Sequence, residues 1–243
     1  MDDEVGVMNT DTAIPAVNSV KGDMANTDSL TFKFIKGRGA LTNEPGRFAT
    51  ERLELTDDEQ ERRVSGGDEW DLIPVAKTEV RAEKARSIIS RNRSPDLPFS
   101  QSINPYQGCE HGCIYCFARP THAYWDLSPG LDFETKLAYK SNAVELLEAA
   151  LANPKYRCKP IALGTNTDPY QPLEKELRLT RQILEVLQRH RHPFSIVTKS
   201  ALILRDLDLL ESMAKQQLCS VHISVTTLDN GLKRTLEPRA PSA

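Results

Sequence analysis

The sequence predicts an α/β fold, a parallel sheet whose strands alternate with helices, preceded by an irregular N-terminal extension. Three observations predict it. Short apolar runs recur beyond Pro98, and those after the first end in small polar residues. Segments with apolar residues at helical spacing lie between them. The connections are far longer than hairpin turns, which makes successive strands parallel and their crossovers right-handed.

The elements follow in order. Phe99–Tyr106 is the first strand and runs into a cluster of cysteines. Ser141–Ala152 is an amphipathic helix with Val144, Leu147 and Leu151 on one face, ended by Asn153-Pro154. Pro160–Gly164 is an apolar run of buried-strand type. Leu177–Arg189 is the next helix, with Thr180, Ile183, Leu184 and Leu187 on one stripe. His192-Pro193 breaks the chain before the strand Phe194–Thr198. Asp206 is placed to cap a third helix through Leu207, Leu210 and Met213. Cys219–Thr227 is the fourth strand. Four strands cannot close a parallel barrel, so the chain reads as a partial (β/α) barrel, truncated at its C-terminus rather than completed by partner chains.

Before Pro98 the pattern is different. Residues 1–30 lack any apolar period and read as a disordered tail. Residues 31–98 read as an irregular extension lying on a core domain that spans 99–243. In it, Phe32–Ile35 suits a short strand, Thr56–Arg63 is a solvated charge run, and Glu79–Ser90 suits a short helix stopped by Ser94-Pro95. Lys84, Arg86, Arg91 and Arg93 form a basic cluster, read as a solvated face with an anion contact as the alternative.

The 243 residues suffice for one domain of roughly 100–200 residues plus this extension. Net charge is −5 over residues 1–98 and +2 over 99–243, giving −3 in all, so bulk electrostatics does not announce nucleic acid. No apolar stretch approaches the roughly 20 residues that span a bilayer. Met1-Asp2-Asp3-Glu4 is acidic where a secretory signal would be basic and then apolar, so the expected location is the cytoplasm. In that compartment five cysteines read as ligands or buried thiols rather than disulfides.

Three of those five sit in Cys109-Glu110-His111-Gly112-Cys113-Ile114-Tyr115-Cys116, a C-x3-C-x2-C spacing. Three thiolates on one loop can hold three corners of a cubane iron–sulfur cluster and leave the fourth iron open. Gly108 and Gly112 permit the positive φ that wraps backbone around an inorganic core. Zinc held by the three cysteines with His111, Cys158 or Cys219 is the alternative, although Cys158 and Cys219 stand near strand beginnings and read as buried thiols. In parallel α/β barrels the reactive groups come from the carboxyl ends of strands. Here those ends are Thr165-Asn166-Thr167-Asp168, Thr198-Lys199-Ser200 and Ser224–Thr227, all on the rim that carries the cysteine loop. The plainer alternative is that they are turn and helix-cap residues.

The cysteine loop, with Tyr115 before its last cysteine, resembles the radical S-adenosylmethionine (SAM) superfamily. Ser102–Tyr106, Arg119–Tyr124, Gly164–Pro172, Val197–Ser200 and Ser224–Thr227 are similar to the subgroup related to spore photoproduct lyase. The resemblance covers residues from about Phe32 to Ala243 and is strongest from Ser102 on. It implies a partial barrel of radical SAM type, with about four of six βα units present. It also implies a 4Fe-4S cluster on Cys109, Cys113 and Cys116, with SAM bound at the open iron. An electron from a donor such as flavodoxin or ferredoxin would cleave SAM to a 5′-deoxyadenosyl radical, which abstracts hydrogen from a substrate. Lys199 would contact the SAM carboxylate with Ser224 and Thr226 beside it. Tyr115 would pack near the adenine, and Thr165, Asn166 and Thr167 would line the SAM or substrate side. Asp168 and Glu174 would bind ribose or cap a helix.

Two departures limit the transfer. The related lyases carry a hydrogen-donating cysteine in the segment matching Gly164–Asp168, and none stands here, so thymine-dimer reversal does not carry over. Glu237-Pro238-Arg239 resembles a family motif but falls close to the end of the chain. Three functions stay open: a radical SAM enzyme of unidentified substrate, a DNA or RNA repair or modification protein of the same superfamily, and a non-catalytic zinc or degenerate cluster module.

Overall fold

The computed structural model describes residues 37–40, 42–44 and 77–241, all within one compact unit, Lys33–Ala243. The expected tail over 1–30, the strand Phe32–Ile35 and the charge run Thr56–Arg63 lie outside the described residues.

Two sheets form. The strands are β1 (Glu79–Glu83), β2 (Ile89–Arg91), β3 (Gln101–Ile103), β4 (Tyr106–Gln107), β5 (Lys136–Lys140), β6 (Ile161–Leu163), β7 (Phe194–Thr198) and β8 (Cys219–Ile223). The larger sheet has the order β2-β3-β6-β7-β8. Within it β3, β6, β7 and β8 are parallel neighbours in chain order, and β2 is antiparallel to β3. The smaller sheet runs β1-β5-β4, with β1 parallel and β4 antiparallel to β5.

The helices are α1 (Asp132–Thr135), α2 (Ala143–Ala152), α3 (Glu174–Leu177), α4 (Leu179–Arg189), α5 (Leu207–Ala214) and α6 (Asn230–Leu236). Arg119–Trp125 and Ala201–Asp206 are 3₁₀ segments. Crossovers through α2, α4 and α5 join the parallel strands. Their apolar faces meet the sheet: Leu147, Ile183, Leu184, Leu187, Leu210 and Met213 are buried with Ile103, Ile161, Leu163 and Ile196. Burial of each such side chain stabilises the fold by roughly 1.5–3 kcal/mol before chain entropy is counted. Among the described residues no helix is long and apolar enough to cross a membrane.

Several local expectations are corrected. Glu79–Ser90 is not a helix; it contributes β1 and β2. Val80 and Ala82 alternate with charged residues, and their backbone partner is β5, a pairing that lies outside any local window. Phe99–Tyr106 is not one strand, because Asn104-Pro105 separates β3 from β4 and sends them to different sheets; proline has no N–H for the ladder. The last strand ends at Ile223 rather than Thr227. Arg178, at φ 49°, separates α3 from α4, so the helix expected from Leu177 starts at Leu179 and Leu177 ends the short helix before it. Asp206 does not cap α5 with its side chain. Its carboxylate instead pairs with Arg205 and Arg181 at 2.9 Å each and accepts from Tyr170 at 3.0 Å. Cys158 is exposed and Cys219 half-buried, so neither is the fully buried thiol expected. Cys158 sits in the loop that approaches β6, where packing has not yet closed over the chain.

Candidate metal and cofactor site

The cysteine loop begins as the chain leaves β4. Gly108 and Gly112 take φ values of 73° and 67°. A Cβ at Gly108 would stand 2.6 Å from Leu137 Cδ2 and 2.8 Å from Phe133 O, so this turn has room for glycine alone. The loop is then pinned through its backbone. Cys109 N donates to Phe133 O at 2.9 Å, Ile114 N to Leu236 O at 3.0 Å, and Arg239 N donates to His111 O at 3.2 Å. Gln171 closes the entry: its Oε1 accepts from Glu110 N at 3.0 Å and its Nε2 donates to Gly108 O at 3.2 Å.

All three loop thiols are free, with Cys109 and Cys113 buried and Cys116 half-buried. Burial pushes the Cys113 thiol up to about 12, helped by Cys109 and Glu237 and opposed by Lys199. Metal binding at Cys113 therefore displaces a proton. Three free thiols on one loop, with the Arg119 and Lys199 cations near them, form a donor set that suits a thiolate-bound iron–sulfur cluster. Among the described residues no group of three or more His, Cys, Asp or Glu side chains is arranged to hold a metal ion, the three loop cysteines included. His111 faces Asp168 instead, its Nδ1 lying 3.4 Å from Asp168 Oδ2 without a well-directed hydrogen bond. Burial disfavours the imidazolium, but Cys109 and Asp168 raise its pKa to about 10.

The side chains at the strand ends divide into two sets. One set surrounds Lys199. Its ammonium lies 2.9 Å from Glu237 Oε1, 3.1 Å from Ser224 Oγ, 3.5 Å from Thr226 Oγ1 and 5.4 Å from the Tyr115 ring centre. Tyr115 OH contacts Thr226 at 2.9 Å and donates to Glu237. Burial works against the Lys199 ammonium, yet bonds to Tyr115 and Glu237 raise its pKa. Burial likewise works against the Glu237 carboxylate, and bonds from Thr226, Tyr115 and Lys199 bring its pKa down. A cavity of about 220 Å³ adjoins this set, walled by Ile203, Ile223, Val225 and the polar ends of Ser224, Thr226 and Lys233.

The second set stitches the strand ends together. Asn104 Nδ2 donates to Thr165 Oγ1 at 3.1 Å and Asn166 N donates to Asn104 Oδ1 at 3.0 Å, joining the ends of β3 and β6. Thr167 is buried and donates to Tyr106 O at 3.1 Å. Asp168 accepts from Thr198 Oγ1 at 2.6 Å, Lys199 N at 2.8 Å and Tyr170 N at 2.8 Å. Glu174 performs the helix-cap role: it accepts from Thr180 N and Arg181 N in the first turn of α4, at 2.9 and 3.3 Å. Its remaining bonds go to Tyr106 and Arg205.

Sequence reasoning gave no role to Glu237, Gln171 or Arg119. Glu237 had a signal, since it opens the segment that resembles a family motif. Gln171 and Arg119 lie inside matching segments but carry no spacing that marks them out.

The pattern described as the radical SAM superfamily matches residues 103–242. An uncharacterized protein of Mycobacterium tuberculosis is 44% identical over 146 residues, which cover 60% of this chain and 43% of that protein. An uncharacterized protein of Methanocaldococcus jannaschii is 30% identical over 167 residues, 69% of this chain and 59% of its own length. One of Acidianus two-tailed virus is 26% identical over 184 residues, 74% and 58% respectively. The matched region thus spans less than half the length of the mycobacterial relative and under two thirds of the other two. No solved structure matches the chain. Members of the matched superfamily are enzymes that use a 4Fe-4S cluster and SAM and draw on an electron donor. With more than half of its residues in that match, and its cysteine loop and strand ends on the matched stretch, the chain belongs to the radical SAM superfamily.

Proposed function

We propose that Cys109, Cys113 and Cys116 hold a 4Fe-4S cluster and that the chain works as a radical SAM enzyme on an unidentified substrate. The observation that carries this is that one loop bears three free thiols and, through Tyr115, meets the Lys199 network at the ends of the parallel strands. When bound, the cluster and SAM supply reductive cleavage of the S–C5′ bond and a 5′-deoxyadenosyl radical that abstracts hydrogen from substrate. The chain supplies binding and orientation. Lys199 presents a cation to the SAM carboxylate, with Ser224 and Thr226 holding the ammonium in place. Tyr115, exposed on one side, offers a ring face for the adenine. Thr165 and Asn166 line the rim, and Thr167 braces it from below. Glu237 keeps Lys199 charged and oriented before SAM arrives.

Finer placements belong to the same proposal. The sheet is part of a six-unit radical SAM barrel, and the electron donor is a flavodoxin or ferredoxin. The motifs from Ser102 to Thr227 support a kinship with the spore photoproduct lyase subgroup. Gly164–Asp168 has no cysteine to return a hydrogen atom, so thymine-dimer reversal is not carried over from that subgroup, and DNA or RNA repair is the second reading.

The test is anaerobic reconstitution with iron and sulfide, followed by dithionite and SAM. The expected result is about four iron and four sulfide per chain, with release of 5′-deoxyadenosine. Lys199→Met keeps the iron and weakens SAM binding about tenfold, the loss of one charge-assisted bond. Stoichiometric zinc without sulfide would overturn the proposal.

A further inference from the structure

Far upstream of the cysteine loop, Arg38–Ala40 and Thr42–Asn43 form a strap, with Gly39 against the loop and Thr42 and Asn43 bonded to Leu131 and Asp132 beyond it. Gly39 makes the closest approach. A Cβ there would stand 1.9 Å from Gly112 O and 3.0 Å from Ile114 Cγ2, so its backbone rests directly on the segment between Cys109 and Cys113. The next contact is a buried carboxylate. Gly39 N donates to Glu134 Oε2 at 3.0 Å and Ala40 N donates to Glu134 Oε1 at 2.9 Å. Glu134 is 0% exposed, and its third partner is Arg119 Nη2 at 2.5 Å. Arg119 in turn donates through Nε and Nη2 to Cys113 O at 3.1 and 2.9 Å.

A second path starts at Arg38. Its guanidinium donates to Glu134 O at 2.7 Å and to Thr78 Oγ1 at 2.9 Å, and the Thr78 hydroxyl donates to Glu110 Oε1 at 2.7 Å. The strap is fixed beyond Ala40 as well. Leu131 N donates to Thr42 O at 3.1 Å, and Asn43 exchanges two bonds with Asp132, at 3.0 and 2.9 Å. Both paths from the strap end on the cysteine loop: one on the carbonyl of Cys113, the other on the residue that follows Cys109.

A buried carboxylate is stable only while its acceptors are filled. Two of the three donors to Glu134 are strap amides. Without them the carboxylate keeps Arg119 alone, and the anchor that directs Arg119 at Cys113 O is no longer held in place. We infer that Arg38–Ala40 is a positioning segment of the cluster site, acting through Glu134 and Arg119 to fix the cysteine loop and keep water from it. The word cluster rests on the function proposed above; the mechanical claim about the loop does not.

The thiols report on this directly in the metal-free full chain. Alkylation by N-ethylmaleimide is followed at each cysteine by peptide mass spectrometry, in the parent chain and in Gly39→Val, whose side chain collides with Gly112 O. The expected result is about tenfold faster reaction at Cys109 and Cys113, through more frequent local opening. Exposed Cys158 serves as an unchanged reference, and half-buried Cys219, bonded to Leu210 O at 3.3 Å, reports on the fold. Unchanged rates at Cys109 and Cys113 would overturn the inference. If Cys219 accelerates equally in Gly39→Val, the fold has opened, and Glu134→Gln decides, because it keeps the shape and removes the charge. There, acceleration confined to the loop supports the strap's role, and unchanged or uniform rates overturn it.

In the reconstituted chain, Glu134→Gln should also raise the cluster's midpoint potential, since admitted water favours the more negative reduced state. An unmoved potential would deny the positioning role. Failure to assemble any cluster in the parent chain would sink the proposed function and leave the thiol rates to judge the strap.

Discussion

The parallel sheet and the cysteine loop lie in the same compact unit and are held by opposite means. Strands β3, β6 and β7 are buried among Leu and Ile side chains delivered by the helices between them. The loop has little such packing: Cys109 and Cys116 share a small cluster with Ala118 and Phe133. Backbone bonds hold it instead, to Phe133, Leu236, Arg239 and Gln171, with Arg119 on Cys113 O. The difference has a physical reason. Apolar packing would fill the space in front of the thiols, whereas tethers on peptide groups fix the loop and leave the sulfurs free to bind.

Four substitutions would break or sharpen that contrast, in falling order of effect. Cys113→Ala should abolish iron binding on reconstitution while costing about 1 kcal/mol of metal-free stability. Equal iron content in variant and parent would remove this cysteine from the ligand set. Leu163→Ala, at a position 0% exposed, should cost about 2–5 kcal/mol in urea unfolding and leave the alkylation rate of Cys113 unchanged below the transition. If that rate rose in proportion, sheet and loop would be one mechanical unit.

Asp206→Asn should cost about 3 kcal/mol at neutral pH, because it leaves Arg205 and Arg181 with a weakened partner. Burial opposes the Asp206 carboxylate, but bonds from Arg205, Arg181 and Tyr170 depress its pKa in the folded state. A depressed carboxyl contributes stability above its unfolded value of about 3.9 and loses it as pH falls through the folded value. The penalty of Asp206→Asn should therefore shrink below about pH 4, and a penalty constant from pH 7 to pH 3 would deny the linkage. Tyr115→Phe should have the least effect. It removes a half-exposed hydroxyl from Thr226 and Glu237 and should weaken SAM binding about fivefold or less in equilibrium dialysis. A loss as large as that expected for Lys199→Met would move the tyrosine to the centre of the site.

The same contrast explains what could be read from the residues alone. The sheet was legible: strand Phe194–Thr198 and the buried stripe Thr180, Ile183, Leu184, Leu187 stand where periodicity put them. Each strand and helix buries an apolar face of its own, and that periodicity is a local pattern whatever partner covers it. The cysteine loop was legible as a candidate donor set because its spacing and both glycines sit within the nine residues Gly108–Cys116. Its support was not. Glu134 meets Gly39 across 95 positions, and Tyr115 meets Glu237 across 122, so no window contains either pair. Strand β1 was misread for the same reason, its partner lying in β5. Thr165 and Asn166 were read as site residues from their place at a strand end; the bonds to Asn104 that orient them become visible only in the fold.

The most direct measurement is the EPR spectrum of the anaerobically reconstituted, dithionite-reduced chain, recorded with and without SAM. Three thiolate ligands and one open iron predict a reduced 4Fe-4S signal whose g-values shift when SAM is added. A cluster signal indifferent to SAM would contradict the open iron, and the absence of any cluster signal from a zinc-loaded chain would contradict the account as a whole.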